Sequence, residues 1–260
     1  GLRGMLRYYE INKDPYLLTE AVKRYKLYRE EATTANYENF NWFERPDWTE
    51  PCAIVDAYMV ATQLWQLTGE SLFLQDAHAM YYNALAHTQR HNGGFGLDNC
   101  PGPVSNTLKV FEDEAYWCCT MRGGEGMAQA IRYNYFTGDN RLVIPFFNTS
   151  EVTSAFGKQK VTIRQESSYP FAGKVSFTVV ASDVKAPVQL ELFAPDWATN
   201  LQVSMNGKPV SFKQENGFVV VNAKLGKGTQ LEYTFDMQPR LMPMANVLHA
   251  RPGYYNVTYG

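Results

Sequence analysis

Through the first 140 positions, apolar residues recur at the three- and four-residue spacing of helices; beyond them the period shortens to two. Five helices are predicted in the first part, from "GLRGMLRYYEINKD", "PYLLTEAVKRYKLYREEATT", "PCAIVDAYMVATQLWQLTGE", "SLFLQDAHAMYYNALAHTQR" and "GEGMAQAIRYNYFTGD". Several stop at short polar or glycine signals ("INKD", "TGE", "TGDN"), the kind of junction that joins antiparallel helix hairpins. Two pairs and a single helix therefore read as part of a stacked-hairpin array. Two longer stretches without helical period interrupt it, "ATTANYENFNWFERPDWTE" and "HNGGFGLDNCPGPVSNTLKVFEDEAYW". Loops of that length in a compact domain are usually functional or disordered, and their many aromatics argue against disorder.

The second part alternates apolar with polar residues in "QKVTIRQES", "GKVSFTVVAS", "PVQLELFAP", "LQVSMNGKPVSF", "GFVVVNAKL" and "TQLEYTFDMQ", with Asn206-Gly207 and Asn216-Gly217 as turn dipeptides. Short strands at such regular intervals predict an antiparallel β-sandwich. The expected organisation is thus a helical domain over 1–140 and a β-sandwich domain over 141–260. The sandwich either packs against the helices or binds sugar, and Trp197 in "APDWAT" is expected in a core or interface. The chain opens in mid-helix without a cap and ends in the strand-like "RPGYYNVTYG". A partial array of hairpins leaves an apolar face uncovered, which predicts that the chain is part of a longer gene product.

With 45% hydrophobic and 19% charged residues, 260 residues suffice for one large or two medium domains with a real core. A net charge of -2 and the lack of a long basic run give no footprint for nucleic acid or an anionic membrane. No run of 18 apolar residues exists, so no membrane span is predicted. The 17 tyrosines suit a sugar-handling surface and equally a packed helical core.

Four cysteines in a chain of this size are not a disulfide scaffold. The neighbours Cys118 and Cys119 also meet the geometry of a mutual disulfide badly. In "DWTEPC", Thr49 or Glu50 can cap a helix with Pro51 at its first position, which puts Cys52 in the first turn. Cys118 and Cys119 are expected just before the helix predicted from "GGEGMAQAIRYNYF", with Thr120 as a candidate cap. Thiols at helix N-termini are expected to have lowered pKa values. A carboxylate and three cysteines also make a complete shell for tetrahedral zinc. The 66 residues from Cys52 to Cys118 are not zinc-finger spacing, however, and small cysteines also serve as helix-packing residues. Cys100 in "DNCPGP" competes as a ligand from a loop, or is an unrelated thiol.

"TEPCA", then "GGFGLDNCPGP", then "EAYWCCTMRGGEG" resemble the β-L-arabinofuranosidase family, glycoside hydrolase family 127 and its relatives; "NTSEVT", "YPFAGKVSFTV" and "MQPRL" resemble that family's β-sandwich. The resemblance covers nearly the whole chain. It implies an (α/α)6 toroid, present here in part, followed by a β-sandwich, and a zinc-bound cysteine nucleophile. Carried onto this chain, it implies Glu50, Cys52, Cys118 and Cys119 as zinc ligands and Cys118 as the nucleophile. The acid/base it implies is Glu38 in "YENF", with Glu44 in "WFERP" as competitor. Two features depart from the β-L-arabinofuranosidase members: Thr120-Met121-Arg122 replaces a proline-rich run after the cysteine pair, and the segment from Glu38 to Glu50 is shorter. The implied function is that of a retaining glycoside hydrolase on L-arabinofuranosides or related sugars of plant or microbial polysaccharides, with activity expected of the intact gene product. The alternative is a non-catalytic carbohydrate-binding or scaffold piece with a structural zinc-thiolate site.

Retaining hydrolysis needs a nucleophile at the anomeric carbon and an acid at the leaving oxygen. Tyr37, Phe40, Trp42 and Phe43 are positioned to raise the pKa of Glu38 towards neutrality. His87 and His91 in "HTQRH" are expected on one helix face, in surface or packing roles, since no zincin glutamate follows the first. His78 and His249 read as isolated. Arg122, Tyr116 and Trp117 either contact sugar or pack, and "GGFG" at 93–96 reads as a turn. Reduced thiols fit a cytoplasm, and zinc would protect them in a periplasm as well, so compartment stays open.

Overall fold

The computed structural model describes residues 1–40, 49–96, 117–243, 253 and 255–260. They divide into two compact units, Gly1–Ile131 with Leu241–Val257, and Arg132–Arg240 with Thr258–Gly260.

The first unit is built on helices. Helix α1 (Leu2–Asn12) ends at Lys13 in the left-handed conformation, and α2 (Pro15–Glu31) starts on Asp14, whose side chain accepts from the Tyr16 N–H at 3.0 Å. Pro15 at the first helical position completes a strong start signal. Helix α3 (Pro51–Thr68) begins on another proline and stops at Gly69, with φ 73° and its N–H on the Trp65 carbonyl at 2.8 Å. Eleven of its eighteen residues are buried, on all sides rather than along one stripe, so α3 is the central helix of the unit.

Helix α4 (Ser71–Ala79) continues through a π-helical stretch, Met80–Leu85, into the short α5 (Ala86–Thr88). Tyr25 Oη and Arg29 Nε of α2 donate to the buried Asp76 carboxylate of α4 at 3.1 and 2.8 Å. After α5 the chain turns tightly at Gly93, whose φ of 82° suits glycine, and pairs Gln89 with Phe95. The turn expected at 93–96 lies slightly earlier, with the Gly93 N–H on the Arg90 carbonyl at 2.9 Å. His87 lies in α5 but His91 lies beyond it, so the two share no helix face: the predicted helix ends at Thr88.

Helix α6 (Trp117–Tyr133) starts earlier than the sequence pattern suggested, so Cys118 and Cys119 lie inside its first turn. It approaches its neighbours on glycine. A β-carbon on Gly123 would collide with the Phe95 ring, and one on Gly126 would come within 2.7 Å of Val55 Cγ2 and 3.0 Å of Leu85 Cδ2.

The second unit holds two sheets. One runs β1 (Phe136–Thr137), β2 (Arg141–Ile144), β6 (Val188–Phe193), β10 (Phe218–Ala223), β9 (Lys213–Glu215). The other runs β3 (Ser150–Phe156), β4 (Gln159–Ser167), β5 (Lys174–Ser182), β11 (Gln230–Asp236), β7 (Thr199–Met205), β8 (Lys208–Pro209). Pairing is antiparallel except between β2 and β6, which run parallel with Leu142 opposite Leu190. The expectation of purely antiparallel strands is corrected there, because β2 and β6 are far apart in sequence and no hairpin dictates their direction.

Alternation is clear where one face is buried: Val175, Phe177 and Val179 on β5 point inward, as do Leu231, Tyr233 and Phe235 on β11. Ile144 and Leu190 of the first sheet and Ile163, Phe177 and Leu231 of the second line one apolar void of about 10 Å³. Inner residues of both sheets thus share a core with almost no free space. Asn206-Gly207 and Asn216-Gly217 have positive φ at both positions (50° and 75°, 50° and 80°), as two-residue hairpin turns require. Trp197 stacks edge-on against Phe235 at 5.9 Å and packs inside the unit. A separate two-stranded sheet joins β12 (Pro239–Pro243) to β13 (Tyr255–Tyr259).

Candidate metal centre

Two helix starts, far apart in sequence, build the site. At α3, Glu50 has extended backbone (φ -144°, ψ 145°) and its carbonyl accepts from the Ala53 N–H at 3.2 Å, so Pro51 and Cys52 open the helix. At α6, the Thr120 hydroxyl accepts from the Phe95 N–H at 3.1 Å and anchors the first turn. Gly123 and Gly126 then let α6 close on Phe95, Val55 and Leu85. The glycines of "RGGEG" are therefore part of why the thiols meet.

The Sγ atoms of Cys52, Cys118 and Cys119 all lie within 4.8 Å of one another, with Cys118 and Cys119 3.9 Å apart. Two sulfurs held at ~2.3 Å on one tetrahedral zinc stand roughly 3.8 Å apart, whereas a disulfide requires ~2.05 Å. The spacing fits shared ligation of a metal and not a bond between the sulfurs. Cys119 is buried, Cys52 half-buried and Cys118 exposed. One sulfur of the three is therefore open to solvent.

Cys52 and Cys119 do not have the lowered pKa values expected at helix starts. Burial pushes Cys52 up, followed by the negative charge of Glu50 and then of Cys118. Burial, then the charges of Cys52 and Cys118, pushes Cys119 up further. Burial, with the neighbouring negative charges second, outweighs what a helix dipole offers these two thiols. A divalent cation reverses that balance, since each thiolate then faces an opposite charge. The cluster as it stands is electrostatically suited to a cation at its centre.

Of the four ligands implied by the resemblance, three converge and Glu50 stands apart. Its half-buried carboxyl, raised by burial, is outside the group of mutually close donor atoms. It remains near enough to act on Cys52, two residues along. Glu38 lies on the turn bridged by Thr33 and Asn39, with a fully buried side chain and its carbonyl accepting from the Thr34 N–H at 2.8 Å. Glu44 and Cys100 lie outside the described residues, as do Tyr116 and His249. His78 is buried beside Tyr82, with ring centroids 5.5 Å apart. Arg122 pairs with Glu125 three residues on and with Asp56 of α3, the second a relationship that no sequence signal announced.

Residues 141–237 match the family model described as "Beta-L-arabinofuranosidase, GH127 middle domain". A non-reducing end β-L-arabinofuranosidase of Bifidobacterium longum subsp. longum is 26% identical over 191 residues, 69% of this chain and 27% of the relative. Over these residues the chain is similar to the β-L-arabinofuranosidase family, glycoside hydrolase family 127. Its fold agrees: a GH127 β-L-arabinofuranosidase from Geobacillus stearothermophilus T6 matches the whole chain at TM-score 0.78 and 17% identity. A second GH127 β-arabinofuranosidase matches at TM-score 0.78 and 20% identity. The chain spans 45% of each of those two structures and about a quarter of the curated relative.

Proposed function

We propose that the protein is a retaining glycoside hydrolase acting on L-arabinofuranosides or related sugars, with Cys118 as nucleophile and Glu38 as general acid/base. The observation that carries this reading is the convergence of Cys52, Cys118 and Cys119 within 4.8 Å from segments 66 residues apart, with Cys118 alone exposed. Cys52, Cys118, Cys119 and Glu50 would hold a zinc ion, Glu50 by turning its side chain towards the sulfurs. Bound zinc supplies the positive charge that keeps the thiols ionised at neutral pH.

The thiolate of Cys118 attacks the anomeric carbon while Glu38 passes its proton to the leaving oxygen, and a thioglycosyl enzyme forms. Glu38, now a carboxylate, takes a proton from water; that water attacks the anomeric carbon and the Cys118 thiolate leaves. Full burial of the Glu38 side chain suits an acid that must stay protonated until its step. The helices read as part of an (α/α)6 toroid and the two sheets as its companion β-sandwich.

The test is hydrolysis of an aryl β-L-arabinofuranoside by the intact gene product. Cys118→Ala and Glu38→Gln should each lower kcat/KM by at least about 10²-fold. Turnover that survives Cys118→Ala would contradict the assignment.

A further inference from the structure

The three sulfurs are brought together by two helices, and a pair of charged residues links those helices one turn further along. Asp56 follows Cys52 by four residues on α3, and Arg122 follows Cys118 by four on α6. Residues four apart share a helix face, so the Asp56–Arg122 ion pair lies one helical turn along from the sulfur cluster. Arg122 also pairs with Glu125 on its own helix. From α1, Arg3 donates Nη1 to Asp56 Oδ1 at 2.7 Å and Nη2 to Glu125 Oε1 at 2.9 Å. Two guanidinium groups and two carboxylates thus alternate, and each carboxylate receives both arginines.

We propose that Arg122 and Asp56 are positioning residues for the sulfur cluster, a role that rests on the metal-site reading above. Their worth as stability is small: the Asp56 side chain is 53% exposed, and exposed ion pairs contribute little. Their worth as geometry is larger. The glycine contacts of α6 permit a close approach to α3 but, having no side chain, do not fix the rotation of α6 about its axis. The Arg122–Asp56 pair fixes it at the turn next to Cys118 and Cys119. Metal sites tolerate only about 0.2 Å of ligand displacement, and loss of groups that orient ligands typically costs about 10–100-fold in affinity. Arg3 adds a second bridge from α1, through Asp56 on α3 and Glu125 on α6, whereas the exposed Lys26–Glu70 pair joins α2 to the start of α4 and lies outside both cysteine-bearing helices.

Cobalt(II), which takes zinc's tetrahedral sites and shows thiolate-to-metal charge-transfer absorption, tests this on the full chain. Arg122→Met and Asp56→Asn should each weaken cobalt binding by about 10–100-fold and lower the charge-transfer band, at unchanged melting temperature of the metal-free chain. Arg122→Lys should recover most of the loss, and Lys26→Met, which removes an ion pair outside both helices, should leave affinity and band as in the parent. Parental affinity in Arg122→Met would overturn the proposal, as would an equal loss in Lys26→Met. Should Arg122→Met not fold, the near-isosteric Asp56→Asn decides by the same comparison with Lys26→Met. A parent chain that binds no cobalt would instead sink the metal-site reading, and this role with it.

Discussion

Gly126 stands so close to Val55 that a β-carbon on the glycine would lie 2.7 Å from Val55 Cγ2. Gly124, two residues earlier on the same helix, faces nothing within 4 Å. The two glycines should therefore respond oppositely to the same methyl group. Gly126→Ala should destabilise the chain by about 1–3 kcal/mol through overpacking and loosen the approach of α6 to α3. Gly124→Ala should stabilise it by about 0.5–1 kcal/mol, because alanine is the better helix former. Denaturant midpoints measure both, and equal shifts would refute the close approach.

The thiols give stability a pH dependence with a definite sign. Cys52 and Cys119 are held above their ordinary value of 9.0 in the folded, metal-free chain. Above that value the unfolded chain has lost protons that the folded chain keeps, so it binds fewer and stability falls as pH rises. Below it both states are protonated and these thiols add no slope. The urea midpoint of chelator-treated chain should fall between about pH 8 and about pH 10, and saturating zinc should flatten that fall. A metal-free midpoint that is level across this range would contradict crowding of the thiols.

Much of this was legible in the sequence. The start of α3 was marked by Pro51 and its end by Gly69, and the hairpin turns by Asn206-Gly207 and Asn216-Gly217, because local backbone preference decides them. Cys52, Cys118 and Cys119 could be named as candidates, but their convergence depends on long-range packing that spacing does not encode. The start of α6 was misplaced for a related reason. Gly123-Gly124 read as the opening of the helix, whereas both lie inside it and Gly123 packs against Phe95. The direction of the Cys52 and Cys119 shifts was also missed, since a dipole argument sees a helix end and neither the burial of the thiols nor their charged neighbours. The parallel pairing of β2 with β6 and the pairing of Arg122 with Asp56 follow from tertiary contacts alone.

Asp76 is the polar pin of the helical unit, a buried carboxylate that receives Tyr25 Oη and Arg29 Nε. Asp76→Ala removes the negative charge and leaves the Arg29 guanidinium and Tyr25 hydroxyl without it. The expected cost is about 3–5 kcal/mol at neutral pH, read as a shift in the denaturation midpoint. A cost below ~1 kcal/mol would show that the pair is solvated as a surface ion pair would be.

The central claim is that Cys52, Cys118 and Cys119 form one metal-thiolate site, and zinc stoichiometry with thiol titration tests it most directly. Elemental analysis of the purified chain should find about one zinc per chain, with the clustered thiols unreactive until a chelator is added. A folded chain without zinc, whose thiols titrate freely from the start, would contradict it.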